Sequence, residues 1–243
     1  MNLIIDIGNT SAKLVAFKGD TIIEEVRVPN TDLEGLAVFF NKYPFKRGIA
    51  SSVIGFTPNI NKELDRLNIP ILRLSSNTPT PLVNDYRTPE TLGTDRLAAA
   101  VGAYTRFPNH DILIIDAGTC ITYEFVNKAG HYKGGSISPG LQMRLKALHD
   151  LTAKLPLVDI EGEVPEIGYD TETSIRSGVV KGLVAEIEGR INAFLEKYPS
   201  LLVFLTGGDI FNFDNKIKNR IFADKYIVPK GLNRILEYNN ELL

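Results

Sequence analysis

The feature that most constrains the fold is an internal repeat. Residues 3–10 read LIIDIGNT and residues 113–120 read LIIDAGTC, 110 residues apart in a chain of 243. Each copy is an apolar run closed by Asp, one further residue, Gly and a small polar residue. A short apolar run of this kind is a buried strand, and the glycine lets the backbone turn sharply or approach a ligand. The sequences that follow match as well. Residues 13–17 and 121–125 read as second strands, and the turns Lys18-Gly19-Asp20 and 127–130 lead into more strand-like sequence. One Asp-x-Gly match would carry little weight, because both residues are common turn formers. Two matches with matched flanks, offset by nearly half the chain, indicate a duplicated unit. The competing reading is one continuous α/β domain whose two Asp turns are unrelated.

Helical periodicity fills the rest of each half. Thr31-Asp32-Leu33-Glu34 has the form of a capping box, followed by Leu33, Leu36, Ala37 and Phe40 at helical spacing. Gly93-Thr94-Asp95-Arg96 opens an alanine-rich helix. Leu141, Leu145 and Leu148 form a third stripe, and Ile175, Val179, Leu183 and Ile187 a fourth. Residues 48–54, 69–74, 201–205 and 226–228 read as further strands. A boundary at Phe107-Pro108-Asn109 divides the chain into domains 1–109 and 110–243. No Gly/Ser- or Pro-rich linker separates them, so the halves are expected to pack together.

Composition removes several classes of function. Lys and Arg number 27 against 29 Asp and Glu, so no global field draws the chain to nucleic acid. The apolar runs are short beside the roughly 20 residues that span a bilayer, and Asp6 interrupts the first of them. The chain therefore reads as soluble and cytoplasmic, without a membrane partner. Its single cysteine, Cys120, excludes an internal disulfide and a zinc site of clustered thiolates. His110, His131 and His149 lack metal-ligand spacing. Neither G-x-x-x-x-G-K-[ST] nor G-x-G-x-x-G occurs, which excludes a P-loop and argues against a Rossmann dinucleotide site.

What remains is phosphate chemistry. Between Asp6 and Lys13 lies a turn whose successive backbone N–H groups can cradle an anion; Asn9, Thr10 and Ser11 add donors, and Lys13 adds charge. A carboxylate at Asp6 would hold Mg²⁺ or its waters against phosphate oxygens. Alone, this segment reads better as an Asp-stabilised hairpin. The second copy at 116–119 alters that balance, because two such turns facing across a cleft form a two-sided nucleotide clamp. Thr206-Gly207-Gly208-Asp209 would let backbone lie flat against an adenine or ribose, or serve simply as a strand-to-helix turn. Asp95 stands at a helix start, where an Asp ordinarily caps, but Arg96 adjoins it and a Pro-containing loop presents it.

These segments together resemble the actin/Hsp70/sugar-kinase superfamily. The ordered series D-x-G-N-T, G-T-D-R, D-x-G-T, G-G-x-I-x-P-G, T-A-x-L-P and T-G-G-D, from Asp6 to Gly231-Leu232, is similar to that of type III pantothenate kinases. The resemblance implies an α/β chain of two duplicated ribonuclease-H-like domains, an actin-like kinase fold with a nucleotide cleft between them. It implies ATP-dependent phosphorylation of pantothenate, the first step of coenzyme A synthesis. Asp6, Ile7, Gly8, Asn9, Thr10, Ser11, Ala12 and Lys13 would bind ATP, joined by Thr119. Asp116 would ligate K⁺ or NH₄⁺, and Mg²⁺ would come with ATP, with Asp6 a candidate ligand. Gly93, Thr94, Asp95 and Arg96 would bind pantothenate, Asp95 as general base and Arg96 against its carboxylate, with Tyr86 and Thr171 completing the pocket. The family also implies a homodimer. Two residues depart from its pattern: Asp170 where Asn is usual before Thr171, and Cys120 where a small residue is common. Another small-substrate kinase of the superfamily and a non-catalytic regulatory relative are the competing readings.

Overall fold

A computed structural model describes residues 1–208 and 217–241. The first sheet is built from β1 (Asn2–Ile7), β2 (Ala12–Lys18), β3 (Thr21–Val28), β4 (Arg47–Ser52) and β5 (Ile71–Arg73). Helix α1 (Leu36–Phe40) precedes β4, and α2 (Pro58–Asp65) lies between β4 and β5. The spatial order is β3-β2-β1-β4-β5, with the first three strands antiparallel and β4 and β5 parallel to β1. A short strand β6 (Val83–Asn84) and a single 3-10 turn (Pro89–Thr91) then lead to α3 (Thr94–Arg106).

The second sheet repeats the plan. Its strands are β7 (Ile112–Ala117), β8 (Cys120–Val126), β9 (His131–Pro139), β10 (Leu202–Thr206) and β11 (Phe222–Ala223). Helices α4 (Leu141–Asp150) and α5 (Thr171–Lys197) lie between β9 and β10, and α6 (Ile227–Glu241) follows β11. The order is β11-β10-β7-β8-β9-β6. Apart from β6 added at one edge, this is the same sequence of strands as in the first sheet, third-second-first-fourth-fifth. The duplication expected from the two Asp turns is therefore present in the topology.

By their contacts the residues form two compact units. One comprises Met1–Asn109, Val126–Gly134 and Tyr226–Leu243, and the other His110–Phe125 and Gly135–Lys225. In the first, one face of the sheet buries Leu3, Ile5, Ile7, Leu14 and Ala50 with Leu36, Phe39, Ile60 and Leu64. Helix α6 also belongs there, crossing α3 at a point where neither helix has room for a side chain. A Cβ on Gly102 would lie 2.2 Å from the Ile227 carbonyl oxygen, and one on Gly231 would lie 1.8 Å from that of Ala98. In the second unit the α5 stripe Ile175, Val179, Leu183, Ile187 and Ile191 packs on Leu113, Ile115, Tyr123, Val203 and Leu205.

Two sequence expectations are corrected. The capping box at Thr31 does not form. Leu33 takes a left-handed backbone, φ 53°, which buries its side chain at 1% exposure, and Gly35 follows at φ 100°. The helix is thereby cut to the five residues of α1, and the Asp32 carboxylate instead accepts from the Glu34 N–H at 3.1 Å. Residues 226–228 are not a strand: Ile227 and Val228 begin α6. Their β-branched side chains favour strand locally, but both are buried, and the glycine contact with α3 holds the segment helical. Asp209, the last residue of the T-G-G-D series, lies outside the described residues.

Candidate active site

Strand alternation sends Ile5 and Ile7 into the core and Asp6 to the opposite face. Asp6 pairs in register with Lys13 on β2 and Ser51 on β4, and Lys13 pairs with Arg27 on β3. Directly paired residues share a sheet face, so Ser51, Asp6, Lys13 and Arg27 make one row. Asp6 is 8% exposed. Burial pushes its carboxyl up to about 6; Lys13 opposes this, while Asp95 and Glu25 reinforce it. A desolvated carboxylate of this kind gains most from an arriving cation. The residues therefore fit a nucleotide-borne Mg²⁺, which takes one or two protein carboxylates and completes its shell with phosphate and water.

The N-terminus of α3 is tied to this row. Ser51 Oγ, fully buried, lies 2.9 Å from Thr94 Oγ1. Asp95 comes next on the helix, near enough to contribute to the field on Asp6. Asp95 is not the cap of α3: Gly93 holds that position. Its Oδ1 accepts the Arg96 N–H at 2.8 Å and would lie 2.6 Å from a Cβ on residue 93, so the carboxylate folds back over Gly93. The Arg96 side chain is 7% exposed, and its guanidinium lies 5.7 Å from the centre of the Tyr86 ring. That ring packs beside Tyr132 and against Gly134, whose φ of 98° admits no other residue easily. Tyr86, Gly93, Thr94, Asp95 and Arg96 thus share one neighbourhood with Asp6 and Lys13 in the first unit.

In the second unit Asp116, next to last in β7, stands in register with Thr206 on β10. The turn after it has only two residues, Gly118 and Thr119, against four in the turn 8–11. Gly140, at the start of α4, donates its N–H to the Thr119 carbonyl at 3.1 Å. A Cβ there would lie 2.2 Å from the Gly118 oxygen, and one on Gly207 would lie 2.2 Å from the Ala117 oxygen. Three backbone segments therefore meet at the Asp116 turn because two glycines, Gly140 and Gly207, let them.

Thr171 begins α5 and is exposed. The departure at Asp170 proves a competent cap: its carboxylate accepts the Thr173 N–H at 2.8 Å in a complete capping box. Thr171 borders a cleft of about 860 Å³ with Arg144, Tyr169 and Gly178. Arg144 is anchored by the Pro139 carbonyl at 2.8 Å, Ser138 Oγ at 2.9 Å, and the Glu186 carboxylate. Sequence reading did not find Ser51, Arg27, Asn30 or Arg144. The first two enter through strand register, and no local motif marks any of them. Among the described residues no group of three His, Cys, Asp or Glu side chains could hold a metal ion, and no helix is long and apolar enough to cross a membrane.

Solved structures share this architecture. A conserved protein of the Baf family of transcriptional activators from Campylobacter jejuni matches with a TM-score of 0.64 at 20% identity, covering 98% of this chain and 99% of that one. A ROK family glucokinase from Streptomyces griseus, in complex with glucose and AMPPNP, matches with a TM-score of 0.53 at 12% identity, covering 98% of each. The fold is thus that of the actin-like ATPases and sugar kinases, with two ribonuclease-H-like repeats. The sequence narrows the class. The type III pantothenate kinase family profile matches residues 2–193. A type III pantothenate kinase of Bacteroides fragilis is 57% identical over 240 residues, 99% of each chain. This chain belongs to the type III pantothenate kinase family.

Proposed function

We propose that this chain transfers the γ-phosphoryl group of ATP to the primary hydroxyl of pantothenate, yielding 4'-phosphopantothenate for coenzyme A synthesis in the cytoplasm. The halves 1–109 and 110–243 each carry one Asp turn. Asp6 through Lys13 take the phosphates, and Thr119 contacts ATP. Asp6 would hold the Mg²⁺ that arrives with ATP, which would supply charge neutralisation for the transferring group. Asp95 accepts the hydroxyl proton as the new P–O bond forms, since an alcohol is a weak nucleophile until deprotonated. Arg96 pairs with the pantothenate carboxylate through its planar guanidinium. Tyr86 holds that guanidinium from the side, and Gly93, Thr94 and Thr171 complete the pocket. Asp116 would hold K⁺ or NH₄⁺, in a setting where Gly140 and Gly207 bring backbone close to its turn. The active form is a homodimer.

The observation that carries this reading is the Ser51–Thr94 hydrogen bond, which ties the helix bearing Asp95 to the sheet row bearing Asp6. The carboxylates of Asp6 and Asp95, to which this reading gives Mg²⁺ binding and proton acceptance, are thereby carried on linked secondary structure rather than on loops. ADP release coupled to a spectroscopic readout tests it. Release should require pantothenate, and acetate or hexoses should not substitute. ADP release indifferent to pantothenate, or none with any acceptor, would refute the assignment and favour a regulatory relative.

A further inference from the structure

The turn 8–11 has one hydrogen bond of its own, from the Gly8 N–H to the Ser11 carbonyl at 3.0 Å. Its other restraint comes from outside. Asn30, two residues beyond the end of β3, donates both hydrogens of Nδ2 across the turn, to the carbonyls of Gly8 and Asn9, at 2.9 Å each. No peptide bond in the described chain is cis. In a planar trans peptide the C=O and the following N–H point in opposite directions. Drawing the Gly8 and Asn9 carbonyls toward Asn30 therefore turns the N–H groups of Asn9 and Thr10 away from it. Among the described residues neither of these N–H groups has a hydrogen-bond acceptor, and both residues are exposed. Two consecutive N–H groups aimed the same way with nothing to bond are the elements of an anion cradle.

We propose that Asn30 is a positioning residue that sets the phosphate cradle, holding the Asn9 and Thr10 N–H groups toward the phosphates of the nucleotide. This rests on the reading of the turn as the ATP site. Asn30 touches no reacting atom. It acts by fixing two peptide planes before the nucleotide arrives, so that phosphate binding does not have to order them. The amide is required because the residue must donate twice to acceptors that cannot donate back. An aspartate in its place would turn two lone-pair carriers onto two carbonyl oxygens and add a negative charge beside the phosphates.

The test uses the full chain with Asn30→Ala and the equal-sized Asn30→Asp, each measured for KM of ATP, KM of pantothenate, inhibition by inorganic tripolyphosphate, and melting temperature. Losing two hydrogen bonds that order the turn should raise the KM of ATP and the inhibition constant of tripolyphosphate by about tenfold in Asn30→Ala. Asn30→Asp should raise both further. The KM of pantothenate should stay within about twofold, and the melting temperature close to that of the wild type. Unchanged KM for ATP, or parallel rises for ATP and pantothenate, would overturn the proposal. A collapse of folding in both variants would do so as well, by making Asn30 a support of the hairpin as a whole. Wild-type protein that binds neither ATP nor tripolyphosphate would refute instead the nucleotide reading beneath it.

Discussion

Asp6 is the residue at which stability and function are most openly opposed. Its carboxyl is raised from 3.8 to about 6 by burial, so the folded chain binds a proton more tightly than the unfolded one. The sign follows from linkage. Stability is greatest below the unfolded value and falls as the pH rises from about 4 through about 6, as the buried group ionises. Two pH units correspond to a ceiling of about 3 kcal/mol. Asp6→Asn removes that cost. Without nucleotide or Mg²⁺, the variant should be more stable than the wild type at pH 8, by on the order of 1–3 kcal/mol, and the gap should close toward pH 4. Its phosphotransfer should be lost. Denaturant titrations at pH 8 and pH 5 measure this, and an Asp6→Asn variant less stable than the wild type at pH 8 would contradict it.

At the scale of elements, α3 is the part that must be placed well, because its first turn carries Thr94, Asp95 and Arg96. Its position is set at two points: Ser51 holds the N-terminus, and the backbone crossing with α6 through Gly102 and Gly231 fixes the body of the helix. Alanine is the better helix former by about 1 kcal/mol, yet Gly231→Ala should destabilise. Its methyl meets main chain at 1.8 Å, and overpacking of this kind costs about 1–3 kcal/mol, occasionally more. Gly189 in α5 is the control: nothing lies within 4 Å of an added methyl, and Gly189→Ala should stabilise by about 0.5–1 kcal/mol. Thermal melts of the two variants should move in opposite directions, with turnover falling only in Gly231→Ala. A stabilised Gly231→Ala would refute the crossing as described. The same crossing shows what sequence could convey. The Asp turns, the strands around them and the α5 stripe were legible because period, Gly and Asp act locally. Residues 226–228 were not, since their strand propensity loses to a contact with α3, more than a hundred residues away. Leu33 misled for a related reason: its burial outweighs the helical signal around it. Ser51 and Asn30 carried no local signal, because strand register alone sets Ser51 beside Asp6 and chain return alone brings Asn30 to the Gly8 turn.

The whole chain carries two copies of one ribonuclease-H-like plan, each with a carboxylate at the next-to-last position of its first strand. The copies have diverged in their turns, four residues after β1 and two after β7. The wider turn leaves the Asn9 and Thr10 N–H groups exposed, as the proposed phosphate site requires. The narrower one lets backbone close in around Asp116 through Gly140 and Gly207, a setting suited to a large, weakly hydrated cation. Activity at fixed Mg²⁺ should therefore require K⁺ or NH₄⁺, with Na⁺ a poor substitute. Equal rates in sodium-only and potassium buffers would remove the cation from Asp116. The central claim, however, concerns the carboxylate on α3, and Asp95→Asn tests it most directly. The amide oxygen can still accept the Arg96 N–H, and Gly93 rather than Asp95 caps the helix, so the melting temperature should stay near that of the wild type. ATP affinity should not fall. Loss of the proton acceptor should lower kcat by about 10²–10⁴. Near-normal turnover with a reduced melting temperature would show that Asp95 only supports α3, and the general base would have to be sought elsewhere.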